Sequence, residues 1–101
     1  MTALKDLRTF SLSVRREAGY QLDLVQDGLE PTDWKPFGSV GPGVREIRIS
    51  DRDGAFRVMY VATIADAGYV LHCFEKRSRK TELTDIRLAK ARFDGLIRSM
   101  Q

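Results

Sequence analysis

The sequence predicts an α+β domain on three observations. Apolar residues recur at helical spacing through the first third, strand-like runs separated by turn signals follow, and helical spacing returns at the end. In the first third, Val14, Ala18, Leu22, Val25 and Leu29 make one apolar stripe. Ser11 or Ser13 can cap its start, and Gly28 can end it in the left-handed conformation. Leu4, Leu7 and Phe10 predict a shorter helix before it, so the two form a helical hairpin with one apolar side. Residues 30–43, EPTDWKPFGSVGPG, read as a loop, because Pro31, Pro36 and Pro42 with Gly38, Gly41 and Gly43 oppose regular structure. Trp34 and Phe37 are expected to pin that loop to the core.

An antiparallel three-strand meander is predicted next. Residues 44–50 alternate Arg45, Ile47 and Ile49 on one face with Glu46 and Arg48 on the other. Asp51, Arg52, Asp53 and Gly54 signal a turn. Residues 55–64 and 69–74 are rich in β-branched and aromatic side chains, with a turn at Asp66, Ala67 and Gly68 between them. A last helix runs from about residue 82 to 97, with Leu83, Ile86, Ala89, Phe93 and Leu96 on its inner side and Thr81 or Thr84 as its cap.

At 101 residues one domain is expected, and no repeat or low-complexity segment divides it. The longest apolar runs are strand-sized and too short to span a bilayer. Residues 1–10 interleave charges with apolar residues, which does not fit a signal peptide. The lone Cys73 excludes an internal disulfide and a cysteine-based zinc site, and its apolar run predicts burial. A cytoplasmic location follows as an expectation. The net charge of +3 gives modest support to an anionic partner.

The functional information concentrates in residues 55–93. Arg57 stands alone in an apolar strand, on the face of Met59 and Val61. A strand arginine needs water, a carboxylate or a phosphate. Phosphate contact and a salt bridge to Glu46 across the hairpin stand level here. Glu46 shares its face with Arg48. It could take a proton from a sugar hydroxyl, although a solvated ion-pair ladder on an exposed face is the commoner outcome. Lys76 and Arg77 close the last strand, where side chains can converge on a ligand or simply guard the edge. Arg79 and Lys80 add general attraction, and Arg87, Lys90 and Arg92 extend the basic character along the final helix. His72 could act as acid or base, but a lone histidine in an apolar strand is more often a hydrogen-bonded core residue. No zinc-ligand set, P-loop, nucleotide-binding glycine pattern or Ser-His-Asp arrangement is visible, so no cofactor is expected.

The blocks LKDLRTF, REAGYQLDLVQDGLEPTDWKPFGSVGPGVREIRI, GAFRVMYVA, YVLHCFEKRSRKT and DIRLAKAR, in this order and spacing, resemble the phage-derived, HigB-like branch of the RelE/ParE toxin superfamily. The resemblance covers about residues 4–93. It implies a helical hairpin against an antiparallel sheet and a toxin of a type II toxin–antitoxin system. It also implies an antitoxin partner, usually with a helix-turn-helix domain, and mRNA cleavage, often on the ribosome. Arg57 in FRVMY matches the family's strand arginine, and Lys76-Arg77 its basic doublet. RelE itself has two lysines where Glu46 and Arg48 stand, and a tail tyrosine near the position of Leu83. Family members also carry a strand before the LKDL helix that is missing or vestigial here. An uncovered sheet edge would leave room for a homodimer or an antitoxin strand.

The expected function is therefore a metal-independent endoribonuclease. Arg57 and Arg77 would stabilise the phosphorane, Lys76 and Arg48 orient the RNA backbone, and Glu46 or His72 serve as base. A gyrase poison like the ParE side of the superfamily, and a degenerate toxin that only binds its antitoxin, are the alternatives.

Overall fold

The computed structural model describes residues 3–64 and 67–100. The chain forms α1 (Ala3–Leu7), α2 (Leu12–Gln26), β1 (Trp34–Pro36), β2 (Val44–Asp51), β3 (Gly54–Ile64), β4 (Ala67–Lys76) and α3 (Leu83–Ser99). The strands pair in chain order, each antiparallel to the next. This is the predicted α+β arrangement, with one strand more than expected. The turn expected around Asp66 lies outside the described residues in part, and β4 already begins at Ala67.

Strand alternation sends two apolar sets to opposite faces. Ile47, Ile49, Phe56, Val58 and Tyr60 meet Phe10, Val14 and Ala18 of the helical hairpin. Val44, Met59, Val61 and Phe74 meet Ala89 and Phe93 of α3, with Val40 added from the loop before β2. The sheet is thus covered on both faces, by the hairpin on one and by α3 with that loop on the other. A bulge keeps β4 consistent with both cores. Met59 pairs with His72 but Tyr60 pairs with Val70, so Leu71 is the extra residue and turns to the α3 side. Gly41 allows the loop to reach the Phe93 ring, since a Cβ there would stand 2.5 Å from it.

Three expectations need correction. Residues 34–36 are not loop: Trp34, Lys35 and Pro36 pair with Ile47, Glu46 and Arg45. Arg48 N donates to Asp33 O and Phe37 N to Val44 O, both at 2.8 Å, which ties down both ends of β1. Pro36 is tolerated because β1 is the sheet's edge strand. The two helix stripes are also shorter than predicted. Gly28, at φ 78°, ends α2 as expected, and Leu29 N donates back to Leu24 O, so Leu29 falls beyond the stripe and is exposed. Leu83 is likewise exposed (61%) at the start of α3. Ser11 takes the α2 N-cap position without a capping side-chain bond. Glu82, rather than a threonine, takes that position in α3.

Candidate nucleic-acid interface

The sheet register gathers cations from four strands, the predicted Arg48, Arg57 and Lys76 and, from β1, Lys35. Lys35 pairs with Glu46, Glu46 with Met59, Arg48 with Arg57, and Arg57 with Phe74. Lys35, Glu46, Arg48 and Arg57 therefore share the α3-facing side of the sheet, at the end where the apolar cover of α3 gives out. Lys76, two residues after Phe74, brings β4 to the same place.

Glu46 lies at the centre and has no exposed surface (0%), so it is not part of a solvated ladder. Alternation predicts its face correctly, but the surrounding side chains cover that face. Arg57 Nε stands 3.6 Å and Lys35 Nζ 3.7 Å from Glu46 Oε1. Thr81 Oγ1 donates to Oε2 at 3.4 Å. A buried carboxylate is costly unless cations compensate it, and two do so here. The contacts are ionic rather than tight hydrogen bonds. Neither Glu46 Oε1 nor Arg57 Nε has a hydrogen-bond partner among the described residues, and Arg57 Nη1 donates instead to Phe56 O at 3.0 Å. Arg57 is only 11% exposed, so Glu46 fixes its guanidinium beneath the surface. Of the two readings of Arg57, the salt bridge is present.

Arg48, at the edge of the group, pairs through Nε with Asp33 at 3.1 Å, and both side chains are exposed. Lys76 makes no ion pair or hydrogen bond among the described residues. Burial pushes its amine below the ordinary lysine value. The Arg57 charge adds to this, with Lys35 and Arg48 contributing and Glu46 opposing. Four cations thus face two carboxylates, Glu46 and Asp33. The excess positive charge is held on rigid strands, with guanidinium forks suited to phosphate oxygens.

The other predicted cations lie elsewhere. Arg77 is exposed and its Nη2 donates to Glu75 Oε1 at 3.3 Å. It lines a groove of about 620 Å³ together with Asp6, Asp53, Glu82 and Asp85. The basic doublet is therefore split between a cationic face and an acidic groove. Arg79 and Lys80 are exposed in the link to α3, where Ser78 Oγ donates to Lys80 O. Lys90 pairs with Asp94 on the α3 surface and Arg92 turns inward, while Arg87 is exposed on the same helix.

His72 is the hydrogen-bonded core residue that its apolar strand suggested. Its Nε2 stands 2.8 Å from Asp85 Oδ1 and its Nδ1 3.3 Å from Asp6 Oδ2. Arg92 Nη1 donates to the same Asp6 oxygen and to Leu71 O, each at 2.8 Å. This cluster joins α1, β4 and α3. His72 and Glu46 are register partners of Met59 from opposite sides. Two strand spacings, roughly 10 Å, therefore separate their backbones. Cys73 beside this cluster is buried. Burial, reinforced by Asp6, pushes its thiol up to about 12.

Sequence reasoning missed Lys35, Asp33 and Thr81. Lys35 and Asp33 were hidden by the loop assignment, and Thr81 was assigned a capping role. Among the described residues, no group of three or more His, Cys, Asp or Glu could hold a metal ion. No helix among them is long and apolar enough to cross a membrane. No curated protein matches the chain. A family model described as phage derived protein Gp49-like (DUF891) matches residues 5–94, from α1 into α3 and through every strand that builds the cationic face. The chain belongs to this Gp49-like family of phage-derived proteins.

Proposed function

We propose that the protein is the toxin of a type II toxin–antitoxin system, of the HigB-like kind, and that it cleaves mRNA. The observation that carries this reading is the excess of cations around buried Glu46 on one sheet face. Family membership supports the toxin class. The chemistry uses the RNA's own 2′-hydroxyl. Its oxygen bonds to phosphorus as the bond to the 5′-oxygen breaks, leaving a cyclic phosphate and a 5′-hydroxyl end. Arg57, held in place before substrate arrives, meets the negative charge that grows on the phosphorane. Lys35 and Arg48 hold flanking backbone phosphates.

Glu46 and His72, the two groups considered as base, are 0% and 5% exposed. We assign Glu46 to positioning Arg57 and His72 to holding α1 and α3 on the sheet. Arg77 would join the phosphate site only on exchanging Glu75 for RNA. A helix-turn-helix antitoxin is the proposed partner, and the ribosome is a proposed site of action.

The test is purified protein on RNA, with product ends identified. Cyclic phosphate and 5′-hydroxyl ends, lost in Arg57→Ala at retained helix and sheet content, are expected. Intact RNA together with gyrase-dependent DNA breaks would replace this reading with a gyrase poison.

A further inference from the structure

Proton transfer is the part of the reaction that the cationic face leaves unassigned. When the P–O5′ bond breaks, the departing oxygen needs a proton. Guanidinium groups do not release one at ordinary pH, which removes Arg48 and Arg57. Glu46 has no exposed surface, and His72 is enclosed by Asp6, Asp85 and Arg92. Lys35 is tied to the Glu46 carboxylate at 3.7 Å. Lys76 differs from all of these. It closes β4 beside Arg57, is partly exposed, and is the one of the four cations with no ion pair or hydrogen bond among the described residues.

We infer that the Lys76 ammonium is the general acid of this site, donating its proton to the 5′-oxygen as that oxygen leaves phosphorus. The inference rests on the ribonuclease reading above. The balance is simple. The 2′-oxygen bonds to phosphorus and its proton passes to solvent. The P–O5′ bond breaks, the oxygen keeps the electron pair, and it takes a proton from Nζ. Solvent then reprotonates Lys76, so no net proton is gained or lost.

The groups facing Lys76 suit it to this role. Arg57 from β3, Lys35 from β1 and Arg48 from β2 all disfavour its charged form, and only Glu46 from β2 favours it. An ammonium held among like charges gives up its proton more readily than a solvated one.

Lys76→Arg separates acid catalysis from charge. Arginine keeps the positive charge but cannot deliver a proton at neutral pH. RNA binding should persist while cleavage slows by roughly 100-fold or more. A substrate whose leaving oxygen is replaced by sulfur, which leaves without a proton, should restore most of the lost rate. Wild-type cleavage by Lys76→Arg would overturn the assignment while leaving the ribonuclease reading intact. Absence of any cleavage by the wild type would overturn both. A second readout needs no turnover. The Nζ titration of Lys76, followed by NMR on the folded protein, should have its midpoint below the ordinary lysine value and move up in Arg57→Ala. An ordinary midpoint, unmoved by that substitution, would contradict the assignment.

Discussion

Two ionic clusters are built on the same sheet, and their balance of charge differs. Around His72, the carboxylates of Asp6 and Asp85 face one imidazole and the Arg92 guanidinium, and Leu71 O takes a further donor from Arg92. Around Glu46, the cations Lys35, Arg48, Arg57 and Lys76 face only Glu46 and Asp33. The first cluster is nearly balanced and ties three elements together through short contacts. The second keeps an excess of positive charge, with longer contacts to Glu46 and one cation without an ion pair among the described residues. A balanced cluster has little to offer a ligand, because its polar groups already satisfy one another. An unbalanced one becomes more stable when an anion binds. On the proposed function RNA would bind at Glu46's cations, whereas the His72 cluster serves stability.

Substitutions can break that contrast, and the largest effect is expected at Glu46. Glu46→Leu leaves Arg57 buried among like charges and should cost about 3–5 kcal/mol of unfolding free energy in urea titrations. A cost under about 1 kcal/mol would mean that Glu46 is not the anchor of the face. Next comes Arg57→Lys, which keeps the charge but loses the fork. Cleavage should fall by roughly 10²–10³-fold, comparable to removing a donor from a charge-stabilising site, with the melting transition nearly unchanged. His72→Gln should do the reverse. It should lower stability by about 1–3 kcal/mol through its unsatisfied carboxylate partners, yet leave cleavage by the folded fraction unaltered. Collapse of activity at full stability would instead return His72 to the list of catalytic groups.

Smaller effects sharpen the picture. Asp33→Asn frees the exposed Arg48 and should change stability by less than about 1 kcal/mol. It should tighten RNA binding and steepen its dependence on salt, because one more cation is available to phosphate. Cys73 reports on the seal of the balanced cluster. Its thiol stays protonated to about 12 in the folded state but ionises near the ordinary thiol value when unfolded. Above that ordinary value the unfolded chain has lost the proton and the folded one has kept it. This contribution to stability is therefore full at lower pH and is lost as pH rises toward 12. Native Cys73 should resist thiol reagents at pH 8, and rapid modification of folded protein would show that the seal is open.

Much of this contrast was legible along the chain, and what was not has physical causes. Alternation gave the shared face of Glu46 and Arg48 and that of Arg57 and Met59, because a strand's period of two is local, and the register then joins the two. It could not give Glu46's burial, which depends on Lys35 and Thr81 arriving from 11 residues before and 35 after. The β1 strand was missed because Pro36 and the nearby glycines are strong local turn signals, whereas its pairing with β2 is set by the tertiary fold. His72's core role could be read from its apolar neighbours. Its partners Asp6 and Asp85, 66 and 13 residues away, could not. The split of Lys76 from Arg77 was also hidden, since adjacent residues at a strand end look like one basic patch until the sheet sends them different ways.

The most direct test of the central claim is inducible expression in a bacterium, with mRNA 5′ ends mapped for the wild type, Arg57→Ala and His72→Gln. New cleavage ends and growth arrest are predicted for the wild type, with both lost in Arg57→Ala and both kept in His72→Gln wherever that protein is folded. Cleavage that survives loss of Arg57, or that disappears with His72 in a folded protein, would show that the unbalanced cluster is not where the RNA is cut.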